Sequence, residues 1–186
     1  MRLQFWSALL ASVFLCANTH AITQTQLFDA LRGGGHVLLL RHSQTDPGIG
    51  DPAHFKLGDC ATQRNLSAEG RAQSKRIADA LATHTVRFTR VLSSQWCRCR
   101  DTASAFTSQV EDFPALNSFF EDRATEPRQT REVRTRLQRM PANEAWLLVT
   151  HQVNISALTG VTPAMGEGVV VKVTGGQWRV LGNLRL

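Results

Sequence analysis

Four consecutive apolar residues at 37–40 run straight into Arg41 and His42, and a second apolar run at 145–150 also ends in a histidine, His151. Runs this short, with no polar face, predict strands buried on both sides, as in a parallel sheet covered by helices. Helical spacing appears elsewhere. At 22–32, Leu27, Ala30 and Leu31 share one side until Gly33, Gly34 and Gly35 stop the pattern. After Ser67, a suitable N-cap, Ala72, Ile77, Ala80 and Leu81 recur on one face. Further helices are expected at 95–108, with Ala103 and Phe106 inward, at 123–139, with Pro127 near its start and Pro141 beyond its end, and at 154–158 before Gly160. Strand-like runs fall at 90–94 and 116–120, and 169–173 with 177–181 reads as a terminal hairpin through Gly175 and Gly176. Strands alternating with helices predict an α/β fold, a three-layer α/β/α sandwich on a mostly parallel sheet.

Residues 43–65 break the pattern. Little periodicity and many turn formers mark a long loop of functional character, fed directly by His42. His36, at the other end of the first strand, is read as structural. There is no internal repeat, and 186 residues with 42% hydrophobic and 19% charged content fit one globular domain.

The first 21 residues stand apart from that domain. Arg2, an apolar run to Cys16 and small residues around Ala21 predict a secretory leader cleaved after Ala21, leaving a domain at 22–186. The run is short for a membrane-crossing helix, which needs about 20 residues, so no stable membrane insertion is expected after cleavage. Export implies a periplasmic or secreted location. Arg2 is the one charged residue in the leader, so its loss takes the net charge from +6 to +5, a balance suited to an anionic substrate or surface. No compact basic run with interleaved aromatics is present, and nucleic acid is not an expected partner. Three cysteines remain, Cys60, Cys97 and Cys99. An oxidising compartment favours one disulfide and one free thiol, with Cys60–Cys97 preferred because it would tie the loop after His42 to the segment carrying Arg98, and Cys60–Cys99 left open. Three cysteines without a histidine at ligand spacing make a weak zinc site, and neither a metal nor another cofactor is expected.

Four polar groups fall at one end of the expected sheet: Arg41 with His42, Ser93 and Ser94 with Arg98, Glu121 with Asp122, and Thr150 with His151. In α/β proteins that end faces the ligand crevice. A neutral imidazole can attack phosphorus, guanidinium forks match phosphoryl oxygens, and a carboxyl group can protonate the departing oxygen. Gln44 and Thr45, after the proposed nucleophile, and Asn154, beside His151, are further substrate-binding candidates, with turn and capping roles as the competing explanations. Glu167 is read as structural before functional.

The segments LLLRHSQT, NLSAEGRAQ, VLSSQWCRCRDTA and LLVTHQVN together resemble the histidine phosphatase superfamily, also called phosphoglycerate mutase-like. Ser43 and Gln152 stand where many members have Gly. The resemblance implies His42 as the nucleophile, Arg41, Arg98 and His151 as the rest of the phosphate pocket, and Glu121 as general acid with Asp122 in reserve. It implies a phosphatase more than a mutase, because the chain is short and carries a leader. A phosphomonoester is the expected substrate, with a cell-envelope sugar phosphate as the suggested kind. Two alternatives stand beside this. One is a non-catalytic periplasmic protein that keeps the pocket to bind a phosphate ligand. The other is a thiol enzyme using Cys97 or Cys99, which lacks the usual Cys, five residues, Arg loop.

Overall fold

The computed structural model describes residues 22–48 and 50–186; the expected leader, 1–21, lies outside the described residues. Six strands form one sheet in the order β3-β2-β4-β1-β5-β6. Strands β1 (His36–Arg41), β2 (Arg90–Ser93), β3 (Val110–Asp112) and β4 (Ala145–Thr150) are mutually parallel, and β5 (Gly168–Lys172) and β6 (Arg179–Leu184) complete the sheet as an antiparallel hairpin.

Side chains alternate along the two central strands, and that alternation builds the three layers. Leu38 and Leu40 of β1 join Leu147 and Val149 of β4 on one face. Against them pack Leu27, Phe28 and Leu31 of α1 (Gln24–Arg32), Ile77 and Leu81 of α2 (Ala68–Thr83), and Ala103 of α3 (Cys97–Ser104). On the other face Val37, Leu39, Trp146 and Leu148 meet Val133 and Leu137 of α4 (Glu126–Gln138) and Ile155 and Leu158 of α5 (Gln152–Thr159). The two inner strands are therefore dry on both sides, and their backbone polar groups are satisfied by the ladder.

Local chemistry sets the helix ends. Thr23 and Gln26 form a capping box at the start of α1, Ser67 Oγ accepts the Gly70 N–H at 2.9 Å to start α2, and Gly160, at φ 75°, closes α5. Gly70 has a second role. A Cβ there would lie 1.8 Å from the Gln44 carbonyl oxygen, so only glycine lets α2 pack this closely on the segment that follows His42.

Four expectations need correction. The third parallel strand is not 116–120 but Val110–Asp112, a short edge whose exposed Glu111 and Asp112 hide it from any apolar pattern. Leu116 and Phe119 are fully buried, yet Pro114 turns the chain into a 3-10 turn, Pro114–Leu116, and backbone carbonyls there go to side chains. Leu116 O accepts Thr150 Oγ1 at 2.6 Å, and Asn117 O accepts Gln129 Nε2 and Asn154 Nδ2 at 2.7 and 2.9 Å. The helix expected over 123–139 divides into a 3-10 turn, Arg123–Thr125, and α4, with Pro127 in the first turn where its missing N–H costs nothing. The α3 helix is also shorter than 95–108, and α5 starts two residues earlier than 154.

Candidate active site

Strands β2, β4 and β1 are neighbours, so their C-terminal ends put Ser94, His151 and His42 in one row. The His42 N–H donates to Thr150 O at 3.0 Å, which locks the start of one loop to the end of the next strand. The two imidazoles meet edge to face with centroids 5.4 Å apart. They line a cavity of about 540 Å³ together with Arg41, Arg64, Asp51 and Arg98.

Hydrogen bonding fixes the tautomer of each ring. His42 Nδ1 lies 2.8 Å from the Ser43 carbonyl, which can only accept, so Nδ1 carries the proton and Nε2 keeps its lone pair. His151 Nδ1 faces Arg98 Nη2, a donor, at 3.4 Å, so its proton sits on Nε2 and is donated to Ser94 Oγ at 2.9 Å. Ser94 Oγ in turn donates to Asn117 Oδ1 at 3.2 Å. Burial pulls the His42 pKa down to about 3, helped by the positive charge of Arg98, and the bond to Ser43 opposes this only in part. Burial and then Arg98 take His151 well below its ordinary value too. Both rings are neutral at neutral pH.

These shifts have a testable sign. The unfolded chain protonates both imidazoles near their ordinary value of 6.5, whereas the folded chain does not protonate His42 until about pH 3. Their contribution to stability is complete above about pH 7 and is lost as pH falls toward 3, by up to about 1.4 kcal/mol per pH unit for each ring. Urea titrations at pH 7 and pH 4 check this: replacing His42 by Asn should flatten the decline, and an unchanged slope would contradict the assignment.

Ser43, where family members commonly have Gly, is completely buried and fully partnered. Its N–H donates to Thr102 Oγ1 at 3.0 Å and its hydroxyl accepts from Ser74 Oγ at 2.8 Å. Its side chain is thus accommodated between α2 and α3, outside the cavity, while its carbonyl orients the nucleophile candidate.

Arg98, on the first turn of α3, is held by a residue that no sequence pattern marked. Asp51 Oδ1 and Oδ2 accept from Arg98 Nη1 and Nη2 at 2.8 and 3.0 Å, a forked pair with side chains 4% and 7% exposed. Asp51 also accepts the Arg64 N–H and the Trp96 indole N–H, each at 3.0 Å. Burial pushes the Asp51 pKa up, but Arg98 and these two donors outweigh it, so the carboxyl is held below its usual range and stays ionised. Arg64 is the second residue missed. It lines the cavity, donates to Gly48 O, and gives its own carbonyl to Arg98 Nη1 at 3.2 Å.

Burial, and then the neighbouring guanidiniums, lower the pKa of Arg41. Three cations thus face one buried carboxylate and two neutral imidazoles. The Nε atoms of Arg41, Arg64 and Arg98 are buried without a partner among the described residues. A pocket with excess positive charge and unused donors is built for a dianion.

The loop that supplies Asp51 and Arg64 is fastened by a Cys60–Cys97 disulfide, the pairing preferred from the sequence. Gln63 reinforces it, accepting the Cys97 N–H at 3.0 Å and donating to the carbonyls of Lys56 and Leu57. Cys99 is a buried free thiol whose pKa burial raises to about 12. With Cys97 in the bridge and Cys99 protonated and enclosed, no thiolate is offered to a substrate, which removes the thiol-enzyme alternative.

Residues 37–120, which carry β1, the whole loop and the first turn of α3, match the model of the histidine phosphatase superfamily, branch 1. Over that segment the chain is similar to the histidine phosphatase superfamily. Solved structures share its fold at low identity. The protein histidine phosphatase SixA complexed with tungstate is 19% identical with a TM-score of 0.57, covering 80% of this chain and 95% of its own. A mycobacterial glucosyl-3-phosphoglycerate phosphatase complexed with VO3 is 18% identical, TM-score 0.59, covering 78% and 96%. A phosphoserine phosphatase variant from Entamoeba histolytica in complex with phosphoserine is 12% identical, TM-score 0.60, covering 80% and 95%. No match was found among curated protein sequences. Three different substrate names on one fold mean that the fold leaves the leaving group open.

Of the family-derived site residues, Arg41, His42, Arg98, His151 and Glu121 all line the cavity. Glu121 is exposed, with no hydrogen bond or ion pair among the described residues, while Asp122 uses Oδ1 to cap the turn at Ala124 N, 3.2 Å away. Gln44, Thr45 and Asn154 do not line the cavity. Gln44 bonds through its backbone to Gln73 and Ser67, Thr45 is buried against Met165 Sδ at 3.8 Å, and Asn154 supports the Asn117 carbonyl. The contacts of all three are with neighbouring backbone and side chains rather than with the cavity. Glu167 likewise caps Ala164 N at 3.0 Å.

Proposed function

We propose that the chain is an exported, metal-independent phosphatase that hydrolyses a phosphomonoester through a phosphohistidine on His42, acting in the periplasm or outside the cell. One observation supports this above the rest. His42 Nδ1–H is committed to the Ser43 carbonyl, leaving a neutral Nε2 lone pair in a cavity with three guanidiniums and unused donors.

In the first step Nε2 attacks phosphorus, the phosphorus–oxygen bond to the leaving group breaks, and protonated Glu121 gives its proton to the departing oxygen. Arg41, Arg64 and Arg98 carry the charge spread over the equatorial oxygens. His151 stays neutral and holds Arg98 at one nitrogen and Ser94 at the other. In the second step Glu121 takes a proton from water, the hydroxyl attacks phosphorus, the phosphorus–nitrogen bond breaks, and phosphate leaves. Asp51 is unsuited to the acid's part, since its depressed pKa keeps it without a proton. Glu121, which lines the cavity and has no partner among the described residues, is the group free to exchange one. The leader supports an envelope substrate, a phosphorylated sugar of the cell surface being the kind proposed.

Phosphate release from sugar phosphates, nucleotides and phospholipid headgroups, measured in chelator with the mature protein, tests the reading. Turnover of at least one class, lost in Glu121→Gln by about 100-fold or more for a poor leaving group, is expected. Phosphate binding without release from any of them would favour the non-catalytic alternative.

A further inference from the structure

We propose that the outer part of the cavity selects a leaving group that bears a ring with an apolar face and no second anionic group. The inference rests on the phosphatase reading above and adds the substrate class.

The cavity is chemically divided. Its three cationic residues, Arg41, Arg64 and Arg98, gather around Asp51 and the two imidazoles: Arg98 pairs with Asp51, Arg64 bonds both, and Arg41 immediately precedes His42. No other Lys or Arg lines it. The remaining polar lining is neutral or acidic, with Ser118, Thr125, Gln129 and Gln152 beside the exposed carboxylates of Glu121 and Asp122. A phosphoryl group has one place to go. A second phosphate or a carboxylate on the leaving group would meet Asp122 and find no cation to pair with, a cost that an uncharged leaving group avoids.

The apolar lining is aromatic and continuous with the phosphate site. Trp96 stands edge-on to His151 with centroids 5.4 Å apart, and Phe55 packs on Trp96 at 5.4 Å and 38°. The Trp96 indole N–H is fixed on Asp51, so this wall is held in register with the phosphate pocket by the same carboxylate that orients Arg98. Phe120 lines the cavity while 55% exposed, one of two large hydrophobic side chains left exposed among the described residues. A ring seated between Phe120 and the Phe55–Trp96 wall would cover that face. At about 540 Å³ the cavity is in the size range of sites that enclose whole small molecules, so most of it is free for the leaving group once a phosphate is bound.

An aromatic ring and a pyranose ring share this chemistry, and four substrates separate them from the rest. These are benzyl phosphate, glucose 6-phosphate, the acyclic glycerol 3-phosphate, and glucose 1,6-bisphosphate. In the wild-type protein at least one ring substrate should exceed glycerol 3-phosphate in kcat/KM by about three- to tenfold, the range that a stacked ring supplies. Preference for benzyl phosphate over glucose 6-phosphate would name the aromatic source, and the reverse the sugar. The bisphosphate should fall about tenfold or more below glucose 6-phosphate. Phe120→Ala should reduce the ring-to-acyclic ratio toward one, and Thr125→Lys should raise the bisphosphate relative to glucose 6-phosphate. Equal kcat/KM for ring and acyclic substrates, or a bisphosphate preferred by the wild type, overturns the proposal while leaving the phosphatase reading intact. No release from any of the four, with no phosphorylated His42, overturns both.

Discussion

Asp51→Ala is expected to destabilise the protein by about 3–5 kcal/mol, the cost of leaving a buried guanidinium without its carboxylate. Arg98 is 4% exposed and spends both terminal nitrogens on Asp51, so no water replaces the lost partner cheaply. The loss should appear as a fall in Tm on the order of 10 °C for a domain of this length. Three cations would then face each other with no anion between them. Inorganic phosphate, a dianion suited to the same donors, should therefore raise the Tm of the variant by more than it raises that of the wild type. A variant within 2 °C of wild type, or one that gains no more from phosphate, would show that Asp51 is not the internal counter-charge described here.

Opening the Cys60–Cys97 bridge has the second largest expected effect. The cysteines are 37 residues apart in sequence, and closing a loop of that size removes about 4 kcal/mol of unfolded-state entropy on the chain-entropy account. The consequence is local as well as global, because the bridged loop carries Asp51, Phe55 and Arg64 and is otherwise held by Gln63 and the Asp51 pair. Cys60→Ala with Cys97→Ala should lower the urea midpoint and raise KM for a phosphomonoester more than it lowers kcat, since His42, directly after β1, is anchored independently. Equal stability with an unchanged KM would mean that the loop needs no covalent anchor.

The layers and the row of strand ends are legible in the sequence because their causes are local. Four apolar residues before Arg41 and five before Thr150 leave the chain little choice but a doubly buried strand, and a polar group after such a strand must face the crevice. The Cys60–Cys97 pairing is the one that the expected export and the position of Cys97 beside Arg98 favour in the sequence. What the sequence hides is partnership. Asp51 sits between Gly50 and Pro52 in a loop without periodicity, and its four-way contact with Arg98, Arg64 and Trp96 exists only once the loop folds over α3. Arg64 lies near the end of the same 43–65 loop, where no spacing sets it apart. Strand β3 is hidden for the opposite reason: its two exposed acidic residues pair as an edge, while the more apolar 116–120 forms no strand and the Leu116 and Asn117 carbonyls serve Thr150, Gln129 and Asn154.

The same contacts show how Ser43 is accommodated beside the site. Its hydroxyl has a dedicated partner in Ser74 and its N–H in Thr102, so the added side chain is absorbed by α2 and α3 and the carbonyl remains aimed at His42. Gln152, the other departure, is the first residue of α5 and lines the cavity, in contact range of a leaving group and not of the buried imidazoles' hydrogen bonds.

Chemical trapping of the intermediate reaches the central claim most directly. Mature protein incubated with a phosphomonoester labelled in its phosphate, then quenched in alkali, should retain an alkali-stable, acid-labile label on His42, and His42→Ala should retain none and turn over no substrate. The same adduct and the same turnover in His42→Ala would contradict the account.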